Sequence, residues 1–249
     1  MNRRLICLLA CLLPWAVQAT EVDPVPSVMW AFYHKQFLDN APFVFDERVK
    51  LLAPPFAEDA RQVPLEIDAR AFKGRVVRIF AWAELNPLPK IVDFQPKAGV
   101  LPWLALRIRI EQATPLRAAV LTDDGVWHVG STLIDAAGGG CTAPSVVRTQ
   151  PGWEEHIGEV FGGRYPRGEY SRVRVQVAHP MDNGMVSGIP EFYLNHAQLL
   201  GDQGQVMAEL ELFPAVSENP NLAFDIEGAG QTRLVLRDNS GNEFDAAIP

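Results

Sequence analysis

Cysteine is scarce in this sequence. There are three among 249 residues, and two of them, Cys7 and Cys11, fall within the first 19. Beyond those, Cys141 stands alone, which excludes an internal disulfide and a CxxC dithiol. The 5 histidines (His34, His128, His156, His179 and His196) show neither HxH nor HExxH spacing, so no metal site and no cofactor is expected. Cations are outnumbered, 22 Lys and Arg against 30 Asp and Glu, for a formal charge of −8. A chain this acidic has no global attraction for nucleic acid or anionic lipid. Gly162, Gly163 and Arg164 do not make a phosphate loop, because no Lys-Ser/Thr follows.

Long apolar runs are missing too, except at the start. "MNRR" is a basic head, "LICLLACLLPWAV" an apolar core too short to span a bilayer permanently, and "VQA" places small residues at Val17 and Ala19. This is the pattern of a secretory signal over residues 1–19, cut after Ala19. The expectation is an exported, periplasmic protein with no membrane attachment once the signal is removed. Loss of Arg3 and Arg4 makes it two charges more negative.

What remains reads as one helix followed by strands. "PSVMWAFYHKQFLD" predicts a helix within residues 20–44, with Ser27 as N-cap and Val28, Ala31, Phe32 and Phe37 near one face. "VPLEIDAR" alternates Val63, Leu65, Ile67 and Ala69 with polar positions. "WLALRIRIEQ" alternates Leu104, Leu106, Ile108 and Ile110 with Ala105, Arg107, Arg109 and Glu111. "RVRVQVAH" alternates Val173, Val175 and Val177 with Arg172, Arg174 and Gln176, the expected solvated face. Asp124-Gly125, "GDQG" and "NSGN" mark turns between strand pairs. Strands spaced by turns predict β-sandwiches. Two of them fit the length, over residues 45–145 and 171–249, with residues 146–170 as an irregular, Gly- and Pro-rich linker. "LNPLPKIVDF" and "ENPNLAFDI" form a short internal echo, each placing Asn-Pro before an apolar run.

The lone thiol sits in "DAAGGGCTAPS". A free cysteine is often a small core hydrophobe. Here Gly138, Gly139 and Gly140 bring no side chains to pack with, and Pro144 ends regular structure, so an exposed flexible segment is expected. A slim glycine tether could deliver one atom into a partner's narrow cleft. It cannot hold a nucleophile against a base with the precision catalysis requires, which argues for a carried attachment point rather than an enzyme. Arg148 is near in sequence and could favour thiolate. His179 opens "HPMDNG" at a strand end, where Asp182 and Asn183 either cap a turn or join it in a polar recognition surface.

The second half resembles SoxZ of the periplasmic sulfur-oxidation system, through "VRVQVAHPMDNGM", "IPEFYLNHAQLLGDQGQVMAELEL", "SENPNLAFDI" and "LVLRDNSGNEFDA". The first half resembles SoxY, through "VKLLAPPFAEDARQVPLEI", "LNPLPKIVDFQP", "LALRIRIEQATPLRAAVLTDDGVWHV" and the glycine–cysteine stretch. The resemblance implies a mainly β fold of two immunoglobulin-like β-sandwiches in one chain, with a short N-terminal helix. It implies a non-enzymatic carrier in which Cys141 holds sulfur intermediates on a swinging arm that includes Gly138, Gly139 and Gly140, and in which partner Sox-type enzymes convert them. Two departures matter. "GGGCTAPS" replaces a chain-ending GGCGG, and the chain continues into the SoxZ-like half, so the arm is tied at both ends. That arrangement resembles a fused SoxYZ-like group associated with quinoprotein dehydrogenases of alcohols. The alternative role is then a non-covalent docking module for such a system, and a thiol enzyme is a third. A disulfide between two copies through Cys141 also stays open.

Overall fold

The computed structural model describes residues 22–228 and 230–249; the expected signal segment, residues 1–19, lies outside the described residues. Among the described residues one α-helix, α1 (Trp30–Leu38), precedes the strands of the first half. These are β1 (Phe43–Phe45), β2 (Lys50–Leu52), β3 (Phe56–Ala57), β4 (Val63–Asp68), β5 (Val76–Ala83), β6 (Lys90–Pro96), β7 (Val100–Ile108), β8 (Thr114–Thr122) and β9 (Trp127–Ala136). The second half comprises β10 (Val160–Arg167), β11 (Tyr170–Val177), β12 (Leu194–Leu200), β13 (Val206–Leu212), β14 (Asn221–Glu227), β15 (Thr232–Asp238) and β16 (Glu243–Ile248).

The chain is mainly β, and its alternating segments form strands as their patterns require. Val63, Leu65 and Ile67 of β4, Leu104, Leu106 and Ile108 of β7, and Val173, Val175 and Val177 of β11 are all buried. Each half folds as an immunoglobulin-like sandwich, but the two share their sheets. The larger sheet runs β1-β9-β8-β5-β6-β13-β12-β15-β16, with β3 paired to β9; the smaller runs β10-β11-β14-β7-β4-β2. The halves therefore join edge to edge in both layers. β6 pairs antiparallel with β13 (Ala208↔Pro96 through Leu212↔Val92), and β7 with β14 (Leu222↔Leu106, Ala223↔Ala105). Four sheet edges are removed in this way, and each unpaired edge would otherwise expose a row of amides. Phe94 of β6 and Phe224 of β14 meet across the junction at 6.2 Å between ring centroids, inside one continuous core.

Two expectations are corrected. The buried face of α1 is not the predicted one: Val28 and Phe32 are 95% and 55% exposed, while Tyr33 and Leu38 are buried. The helix begins at Trp30, with Met29 rather than Ser27 at its N-cap. Trp30, Tyr33 and Phe37, at i, i+3 and i+7, all pack on Trp82 of β5. The expected linker, residues 146–170, is only partly irregular. It holds two short 3₁₀ turns, Val147–Thr149 and Trp153–His156, and then β10, whose whole length pairs with β11.

Candidate functional site

Cys141 lies where the end of β9 meets both halves. Gly138 and Gly139 have φ of +100° and +82°, a left-handed region that side chains disfavour. At Gly140 the constraint is space. A Cβ there would collide with the carbonyl oxygens of Ala60 and Ile110, two backbones already joined by the Ile110 N–H···O=C Ala60 bond of 2.8 Å. The glycines bend the chain back and let it press into a seam.

Glu111 closes that bend. Its carboxylate accepts hydrogen bonds from the backbone N–H of Cys141 (2.9 Å), Gly139 (3.3 Å) and Thr142 (3.3 Å), and from the Thr142 hydroxyl (3.2 Å). Bonds to an ionised acceptor are the stronger kind. From the second half, Asn183 Nδ2 donates to the Cys141 carbonyl at 2.7 Å. Cys141 is fully buried, with Sγ 3.9 Å from the Arg109 carbonyl oxygen. Burial pushes the thiol up to about 12; the negative Glu111 adds to the rise and the Arg109 guanidinium opposes it. At neutral pH essentially no thiolate exists in this arrangement. The expectation of an exposed, flexible cysteine is thus corrected: glycine's small size allows close backbone approach as readily as it allows motion.

Arg109 is the cation whose charge acts on the thiol, and it is 3% exposed. β7 ends at Ile108, so residues 109–111 leave the strand and its alternating exposure fails. Arg109 crosses to the second half, donating to the carbonyls of Met181 (2.6 Å) and Pro180 (3.3 Å). Desolvation lowers its pKa. Arg148 does not serve the thiol; it donates to Asp182 Oδ2 at 2.7 Å and stacks over Trp153.

His179, Asp182 and Asn183 come together, but as buried groups and not as a recognition surface, with exposures of 0%, 5% and 4%. His179 Nδ1 accepts from the Met181 N–H at 3.1 Å, while its Nε2 lies 3.9 Å from Asp238 with no hydrogen-bond partner among the described residues. Burial holds its pKa down to about 4. Thus His179 shapes the turn, Asp182 anchors Arg148, and Asn183 holds the cysteine segment.

The residues that sequence reasoning missed are the ones that brace this turn. Besides Glu111 and Arg109, Glu218 accepts from the Ser145 hydroxyl (2.5 Å) and the Val146 N–H (2.7 Å), fixing the return limb. The Asn-Pro echo was their available signal. Asn86 bridges the Arg109 carbonyl and the Glu111 N–H, and Asn219 accepts from the His179 N–H. Both echoed asparagines stabilise chain that packs on the cysteine turn. Among the described residues no group of three or more His, Cys, Asp or Glu could hold a metal ion.

Comparison with known families finds two successive matches. Residues 34–141 match the model of the sulfur oxidation protein SoxY, and residues 163–249 that of the sulphur oxidation protein SoxZ. The first match ends on Cys141. No curated protein matches the chain. Among solved structures, that of the sulfur carrier protein SoxY from Chlorobium limicola f thiosulfatophilum aligns at 19% identity and a TM-score of 0.36, covering 43% of this chain and 93% of that one.

Proposed function

A chain in which a SoxY-family segment is followed by a SoxZ-family segment is a fused SoxYZ-like protein of sulfur oxidation, and we propose that it carries sulfur-compound intermediates covalently on Cys141. The observation that carries this reading is the placement of the cysteine. The only one beyond residues 1–19 lies at the end of the SoxY segment, in a turn built from three glycines and gripped by both halves. The buried arrangement is the resting position of the arm. Loading requires a Sox-type partner enzyme to compete for the contacts made by Glu111 and Asn183, after which the freed thiol regains an ordinary pKa near ~8.5 and reacts as thiolate, forming a sulfur–sulfur bond to the cargo while an oxidising partner enzyme takes up the two electrons released. Conversion of the cargo belongs to the partners. Glu111, the carboxylate of this turn, raises the thiol pKa instead of lowering it. The site of action is the periplasm.

The test is intact mass of protein isolated without reductant from metabolising cells, with peptide mapping of residues 138–148. A reductant-labile sulfur adduct on Cys141 is expected. A uniformly bare thiol, or only a symmetrical disulfide between two copies, would overturn the reading. Burial of Cys141 favours one second reading, a docking module of a periplasmic quinoprotein dehydrogenase system that uses no thiol chemistry. Under that reading Cys141→Ser keeps full function in cells; under the carrier reading it abolishes function while fold is preserved.

A further inference from the structure

The smaller sheet has an outer face that the cysteine site does not use. Strand registers align its side chains in rows. The central row crosses the sheet as Leu52, Glu66, Ala105, Ala223, Arg174 and Gly163, from β2 to β10. Its middle is therefore only as tall as two alanines. The row on one side carries Trp103, Arg172 and Tyr165; the row on the other carries Arg107, Gln176 and Phe161. Large side chains over a small-residue floor leave a groove of about 830 Å³, in the range of small-molecule sites. Both halves build it, so it exists only because their sheets are joined.

The charges in the groove are unevenly satisfied. The Arg172 guanidinium lies 3.6 Å from the Trp103 ring centroid and donates to Asp225, which also receives Arg70. The Trp103 indole N–H donates to Glu66 at 2.8 Å. Asp225 is thus paired, and Glu66 keeps its charge at the far end of the central row, three strands from Arg174. Arg107 and Arg174 are both exposed and have no ion pair among the described residues. On a chain of net charge −8, two uncommitted guanidiniums over apolar walls form a local anion site. Phe161 and Tyr165, 57% and 50% exposed, supply the apolar contact. The groove is about four residues wide along the strands, roughly 13 Å between ridge backbones. Ridge side chains narrow it toward the thickness of a ring or an alkyl chain.

We propose that this groove binds an elongated organic anion, with an aromatic or alkyl body lying over Ala105 and Ala223 and a carboxylate or sulfonate head on Arg174, assisted by Arg107. The site is separate from the cargo on Cys141, so it stands or falls independently of the carrier reading.

The test is a fluorescence titration of the full chain with 1-anilinonaphthalene-8-sulfonate, beside its uncharged relative N-phenyl-1-naphthylamine. One saturable site for the sulfonate is expected. Arg174→Gln should weaken sulfonate binding about tenfold or more, as befits a lost charge-assisted contact, and leave the uncharged probe within about twofold. Arg107→Gln should act in the same direction, less strongly. Ala223→Phe fills the floor and should abolish binding of both probes, with circular dichroism confirming the fold. Cys141→Ser should bind the sulfonate like the parent chain. Equal sulfonate affinity in the parent and Arg174→Gln, or undiminished binding in folded Ala223→Phe, would overturn the proposal.

Discussion

At the residue scale, one carboxylate decides the state of the thiol. Glu111 accepts four hydrogen bonds from the cysteine turn, and among the described residues no other side chain holds so much of it. Glu111→Ala is expected to raise the reaction rate of Cys141 with 5,5′-dithiobis(2-nitrobenzoate) at pH 7 by about tenfold or more, since losing even about 1.4 kcal/mol of closing energy shifts an opening equilibrium tenfold. An unchanged rate in the variant would show that the turn opens without passing through this contact. A second residue sets an acid limit. His179 is held near 4 against an ordinary 6.5, so the folded chain keeps it neutral while the unfolded chain protonates it first. Stability from this group is complete above pH 6.5 and is lost as pH falls toward 4, by at most about 3 kcal/mol. Arg148 and Asp238 are the charges that face it. Denaturant unfolding at pH 7 and at pH 4.5 should show a smaller acid loss in His179→Gln than in the parent. Equal losses would assign the effect to carboxylates.

At the scale of the element, the cysteine turn tests two properties of glycine against each other. Gly139 has a left-handed φ and open space where its Cβ would point, so Gly139→Ala meets conformational strain alone, about 1 kcal/mol. Gly140 has ordinary φ, but any Cβ runs into two carbonyls. Gly140→Ala is therefore expected to destabilise the chain by more than Gly139→Ala, or to expel the turn and expose the thiol. Thermal midpoints and thiol labelling of the pair decide the order; equal effects would mean the seam is loose. The strands themselves were legible because a half-buried strand writes burial into every second residue, as β4 and β11 do. The turn was harder to read because "GGG" specifies backbone freedom without saying whether it serves motion or contact. Residues 109–111 extended the alternation of β7 in the sequence, yet the strand stops at Ile108, and Arg109 turns inward to carbonyls of the other half. The face of α1 was misread because its aromatics meet Trp82, a partner 52 positions beyond Trp30 that no local period can reveal. β10 was hidden for a related reason. Its Gly162 and Gly163 dilute the strand pattern, and only the register with β11 explains them.

At the scale of the whole molecule, fusion is more than a tether. The halves share both sheets, one core and the Arg70–Asp225 and Lys97–Glu209 ion pairs, while the covalent connection passes through exposed Pro151 and Gly152. Two strand pairings with buried apolar faces should hold the parts together without that connection. A protease site inserted between Pro151 and Gly152 and then cleaved should yield two fragments that still co-elute in size-exclusion chromatography and melt as one unit. Separation of the fragments under native conditions would show that the junction needs the chain's continuity. The same cut frees the return limb of the cysteine turn from one anchor and leaves Glu111, Asn183 and Glu218 in place. Cys141 labelling in the nicked chain should therefore stay close to that of the intact protein. Much faster labelling in the nicked chain would instead assign the burial of the thiol to the covalent loop rather than to these side-chain contacts.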